Sequence, residues 1–65
     1  MPNIIVELMQ EMARVEALLP YLDSVRIQEA DVALRSAKWY MAMNSLEGMT
    51  DAVTDLREFT AERKK

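Results

Sequence analysis

Cysteine and histidine are absent from this chain, and glycine occurs once. The lack of cysteine excludes a disulfide-stapled scaffold, and the two absences together remove the usual thiolate and imidazole ligands of structural zinc. They also remove the side chains most often used as nucleophile and general base near neutral pH. One glycine cannot build a phosphate-cradling loop, which needs several. Acid and base work would fall to carboxylates alone. Glu7 with Glu11 and Asp51 with Asp55 sit four residues apart, a spacing common on solvated helix faces. The expectation is a protein that is not an enzyme and carries no metal or cofactor.

Positive charge is also in the minority, with eight Lys and Arg against eleven Asp and Glu and a net charge of -3. A phosphate backbone would meet mild repulsion, so duplex nucleic acid is not an expected partner. No apolar run is long enough to span a bilayer. Residues 1–7 lack the basic start and apolar stretch of an export signal. The expected setting is therefore cytoplasmic and off the membrane.

Against these absences stands a hydrophobic content of 51% in only 65 residues, read as one small helical domain over residues 1–65. A domain of that size buries roughly 60% of the surface its unfolded chain would expose. With disulfides and zinc excluded, association is the remaining way to supplement a small core. A homo-oligomer, or a protein partner, is expected.

Helical periodicity is clearest at the start. Met1, Ile5, Leu8, Met12, Val15, Leu19 and Leu22 follow one another by steps of four and three, a heptad seam widened by Ile4, Met9 and Leu18. Glu7, Glu11, Arg14 and Glu16 are assigned to the other faces. Asn3 is placed to cap this helix. Pro20 ends or kinks it, and Asp23 or Ser24 caps a second helix from about Val25. The segment 19–24 is thus the corner of a helical hairpin.

The second helix carries one seam of Ile27, Ala30, Leu34, Ala37 and Met41, with Ala30, Ala33 and Ala37 small enough for close approach to the first helix. A second, rotated set comprises Val32, Trp39, Ala42, Leu46 and Met49, and this set is the expected oligomer interface. Beyond Leu46, Glu47-Gly48-Met49-Thr50 reads as a helix end with glycine in the left-handed position and Thr50 as a new cap. A third helix would then run from about Asp51 to Arg63. The alternative is one long second helix through Gly48, since an interior glycine costs only about 1 kcal/mol. The fold class is all-α either way: a helical hairpin with a third C-terminal helix or a long second helix, in an oligomeric bundle.

Three further sets of residues carry candidate roles. Glu47, Asp51, Asp55, Glu58 and Glu62 fall on one side of a helix, as a solvated face partly neutralised by Arg57 and the basic tail, or as an acidic docking stripe for a basic or nucleic-acid-binding protein. Arg26, Arg35 and Lys38, with Trp39 and Tyr40, could grip a phosphate and stack on a base if subunits brought them together. Arg14 belongs to the same cationic set. Six methionines are many for this length and suit gap filling or adaptable contacts. Tyr21 and Phe59 are expected to anchor packing.

Residues 12–46 add a resemblance. A helix, the Pro20 corner, Asp23-Ser24 and Arg26, then a helix bearing Ala33-Leu34, Ala37 and Trp39, together resemble the helical region of phage anti-CBASS proteins, which soak up cyclic-nucleotide immune signals. The resemblance implies a symmetric oligomer with nucleotide pockets at subunit contacts, Arg26 the matched polar residue and Trp39 the matched aromatic. The leading expectation from the residues is a non-enzymatic, oligomerising binding or assembly module. A sponge that sequesters a cyclic-nucleotide signal, and an acidic-face inhibitor of a basic protein, are its alternatives.

Overall fold

A computed structural model describes residues 3–64, with side chains through residue 61. Three helices follow in order, α1 (Ile4–Leu18), α2 (Ser24–Met43) and α3 (Leu46–Lys64), and there is no strand among the described residues. The fold is all-α, as the periodicity requires. Met1 of the first seam and the side chains of Glu62 and of the basic tail lie outside the described residues.

Local chemistry sets the first two boundaries. Asn3 caps α1, its side-chain oxygen accepting from the Ile5 N–H at 2.9 Å. At the corner, Pro20 lies in a 3-10 turn over Leu19–Tyr21 that tightens the end of α1. The Leu22 N–H closes it by donating to the Leu19 carbonyl at 3.2 Å. Of the two cap candidates Asp23 serves, accepting from the Arg26 N–H at 2.8 Å, so α2 begins at Ser24. Tyr21 turns outward with 69% of its surface exposed and does not anchor the core, whereas Phe59 is buried.

The break between α2 and α3 exists but falls earlier than expected. Asn44, at φ 56° and ψ 40°, takes the left-handed position that ends α2. Its N–H donates to the Met41 carbonyl at 3.1 Å, and the Ser45 N–H donates to the Tyr40 carbonyl at 3.0 Å, the paired bonds of a Schellman-type terminus. The Ser45 hydroxyl then caps α3 by accepting from the Gly48 N–H at 3.2 Å. Gly48 is thus within the first turn of α3, not the terminator, and Thr50 is an interior residue whose hydroxyl donates to the Leu46 carbonyl at 2.9 Å. The reading of one uninterrupted helix is excluded as well. What requires glycine at 48 is contact: a Cβ there would lie 2.2 Å from Cδ1 and 2.5 Å from Cγ of the Tyr40 ring.

Tertiary packing also departs from the expected hairpin. α3 packs along both α1 and α2, while α1 and α2 touch each other little. The reason is the width of the α3 stripe. Met49, Ala52, Val53, Leu56 and Phe59 are all buried, and at a helical repeat they sweep an arc of about 120°, enough for two neighbours. Leu8, Met12 and Val15 of α1 and Ala30, Leu34 and Ala37 of α2 complete the core. The small face of α2 is buried as expected, in a core that α3 rather than α1 dominates.

The result is a flat body of 32 × 22 × 15 Å. Its accessible surface of 4768 Å² exceeds the roughly 4,200 Å² typical of a compact monomer of 7.5 kDa.

Candidate docking surfaces

The outer side of α2 is the largest unpartnered apolar face. Val32 and Trp39 expose 63% and 60% of their surface, and Leu46, just past the break, 66%. Ala42 is exposed beside them. Met49, the fifth member of the expected interface, is fully buried. It shares the numerical spacing of that set only if the helix is continuous. With the chain turned at Asn44, its side chain points into the core. Two residues outside the expected set, Val25 and Met43, are exposed along the same side of α2. The spacing of seven from Val25 to Val32 to Trp39 is the signal that could have found the first of them. The Trp39 ring meets Tyr40 edge to face, with centroids 5.6 Å apart.

The proposed phosphate grip is dispersed in a single chain. The Arg26 guanidinium pairs with Glu29 at 2.7 Å and lies over the Phe59 ring, 4.7 Å from its centroid. Arg35 pairs with Asp31 at 3.1 Å on an exposed stretch, an arrangement worth little in water. Lys38 borders a groove between α1 and α2, together with Met9, Met12 and Met41. Trp39 points outward, and Tyr40 lies against Gly48 on the α3 side. A nucleotide pocket drawn from all five would need side chains of more than one copy.

Charge on α1 and α3 is arranged differently from the expectation. Arg57 does not neutralise the acidic row. It reaches α1 instead, pairing with Glu7 and, at 3.3 Å, with Glu11. Glu11 is buried, not on a solvated face, because its position on α1 lies beside α3. Its Oε2 also accepts from Arg14 at 3.0 Å, while Oε1 has no hydrogen-bond partner. The Glu11 hydrogen bond first, and Glu7 next, hold the Arg57 guanidinium above its ordinary pKa. Glu7 and Glu11 therefore clasp α1 to α3 through Arg57.

With Arg57 turned away, Glu47, Asp51, Asp55 and Glu58 are exposed along one side of α3. Glu62 continues the row in sequence, but its side chain lies outside the described residues. Three of the four, Asp51, Asp55 and Glu58, border a groove of about 410 Å³ between α2 and α3. Glu29 stands on its α2 lip, and Val32, Ala33, Ala52 and Phe59 line the floor. Among the described residues no group of acidic side chains has the arrangement of a metal site, and no helix is long and apolar enough to cross a membrane. No protein-family model, curated protein or solved structure matches the chain.

Proposed function

We propose that this protein is a non-enzymatic helical binding module that acts by association, with the outer face of α2 as its contact with a second copy. The observation that carries the reading is the exposure of Val25, Val32, Trp39 and Met43 along one side of α2. Eighteen residues separate the first from the last, which is about 27 Å at the helical rise. Contiguous apolar faces of this extent mark interaction sites on proteins that are not membrane-embedded.

Magnitudes set the expected strength. Fully burying a large apolar side chain contributes on the order of 1.5–3 kcal/mol. Two copies would bury eight such side chains, each now about 60% exposed, for a gross gain of roughly 7–14 kcal/mol. Losing translational and rotational freedom costs about 4–15 kcal/mol. The balance describes a reversible contact that fills and empties with concentration. Aromatic anchors carry a disproportionate share of such contacts, which makes Trp39 the residue to remove.

Light scattering over a hundredfold range of protein concentration tests the reading. The wild-type mass is expected to rise with concentration, and Trp39→Ala is expected to stay at the single-chain mass with its helical circular dichroism intact. A Trp39→Ala variant that assembles as the wild type does would refute the assignment of this face.

A further inference from the structure

Among the described residues, three grooves between the helices differ in what could fill them. The groove beside Met9, Met12 and Met41 is bordered by Glu16 and Lys38, charges of both signs that select no partner. The groove beside Arg57 contains Glu11 and Arg14 as well, a cluster already compensated within the chain. The groove between α2 and α3 alone has a lip of one sign. Glu29, Asp51, Asp55 and Glu58 border it, and no lysine or arginine among the described residues lines it, the Arg26 guanidinium lying at its end against Glu29 and Phe59.

We infer that this α2–α3 groove is a docking site for a basic amphipathic helix of another protein. Glu29 already has a cation in Arg26. Asp51, Asp55 and Glu58 form no ion pair or hydrogen bond among the described residues. They stand at i, i+4 and i+7 of α3, so their carboxylates span two helical turns, about 10 Å. Like charges at that spacing cost a helix a few tenths of a kcal/mol per pair. A partner helix with lysine or arginine at the same spacing would relieve that repulsion while its apolar face entered the groove.

The floor supports a helix as the occupant. Ala33 and Ala52 leave room between the two walls, and Val32 offers apolar contact on the α2 side, while the Phe59 ring opposite lies under the Arg26 guanidinium. A helix laid in a groove presents side chains at the matching three- and four-residue steps. Nucleic acid is the wrong sign for this lip, and a second copy of this chain brings a net negative charge, so a basic helix from elsewhere has the matching chemistry. The inference goes beyond self-association through Trp39, which does not line the groove, although Val32 borders both surfaces.

A calorimetric titration tests it, using the full chain and an 18-residue peptide of leucine and lysine patterned as an amphipathic helix. A second peptide with glutamate at every lysine position is the control for general stickiness. The lysine peptide is expected to bind and to weaken as salt is raised. The triple variant Asp51→Asn, Asp55→Asn, Glu58→Gln is expected to lose on the order of tenfold in affinity, since rim charges supply steering and register. A variant that removes two acids away from the groove, Glu16→Gln with Asp31→Asn, is expected to bind as the wild type does. Ala33→Met, which fills the floor without changing charge, is expected to abolish binding. Equal binding of the two peptides, or undiminished binding by the triple variant or by Ala33→Met, would overturn the inference. The mass of the peptide-free protein, read separately, reports on self-association, so the two proposals fail by different measurements.

Discussion

α2 and α3 are nearly equal in length, yet they use their apolar residues in opposite ways. α3 buries five large or small apolar side chains between two neighbours, and each of them is needed inside the chain. α2 buries only Ala30, Leu34 and Ala37, and leaves Val25, Val32, Trp39 and Met43 in solvent. α3 is therefore the internal spine of the fold, and α2 is its outward-facing element. Apolar content alone does not distinguish the two roles. What does is whether the apolar positions form one wide stripe, as in α3, or two separated ones, as in α2.

The sharpest way to break this comparison is to place charge in the shared core. Leu8→Asp or Leu34→Asp puts an uncompensated carboxylate where the side chain is buried. Burial of an unpaired charge costs several kcal/mol or more, and the whole stability of a chain this size is on the order of 3–10 kcal/mol. Both variants are expected to lose their helical circular dichroism. Retention of a cooperative thermal transition in either would show that the α3-centred core is misassigned.

Gly48→Ala probes the seam between the two helices with a smaller effect and an unexpected sign. Helix propensity alone favours alanine by about 1 kcal/mol. The new methyl group would sit on the Tyr40 ring, close to its base and not at a flexible tip, and such overpacking costs about 1–3 kcal/mol. Net destabilisation is expected by chemical denaturation, whereas Gly48→Ala combined with Tyr40→Ala is expected to recover the propensity gain. A stabilised single variant would mean that the ring does not occupy that position.

Removing the Arg57 clasp should act on the α1–α3 side and leave the outer face of α2 alone. Arg57→Leu leaves buried Glu11 with Arg14 as its one cation, and a lower melting temperature is expected with unchanged self-association. At the small end, Asn44→Ala places a side chain with no local hydrogen-bonding ability in the left-handed position, at a cost of about 1 kcal/mol, while Asn44→Gly is expected to be near neutral. Equal melting temperatures for the two would argue against the left-handed turn at Asn44.

Much of the fold was legible because its signals are local. The Asn3 cap and the Pro20–Asp23 corner depend on neighbours within a turn or two, and both are present; of the α1 seam Leu8, Met12 and Val15 are buried, while Ile5 and the flanking Met9 are exposed. The α2–α3 break was misplaced by a few residues because a lone glycine usually marks a left-handed turn. Here Asn44 performs that role and Gly48 answers to a ring eight positions earlier. Met49 was misassigned for the same reason, since its place in the outer set depended on a helix that does not continue. Arg57 was read through its sequence neighbours, the acidic residues of α3, although its partners lie about fifty positions away on α1. The candidate surfaces were legible where spacing alone defined them, as for Val32, Trp39 and the acidic row. The groove beneath that row is lined from both α2 and α3 and so belongs to no single segment.

The central claim, that the outward face of α2 is covered by another molecule of the same protein, is tested most directly by native mass spectrometry of the purified chain across a dilution series, with Trp39 emission recorded in parallel. Multiples of 7.5 kDa are expected to give way to single chains on dilution, accompanied by a red shift of Trp39 as its ring meets water. A particle of one chain at every concentration, with Trp39 emission unchanged throughout, would contradict it.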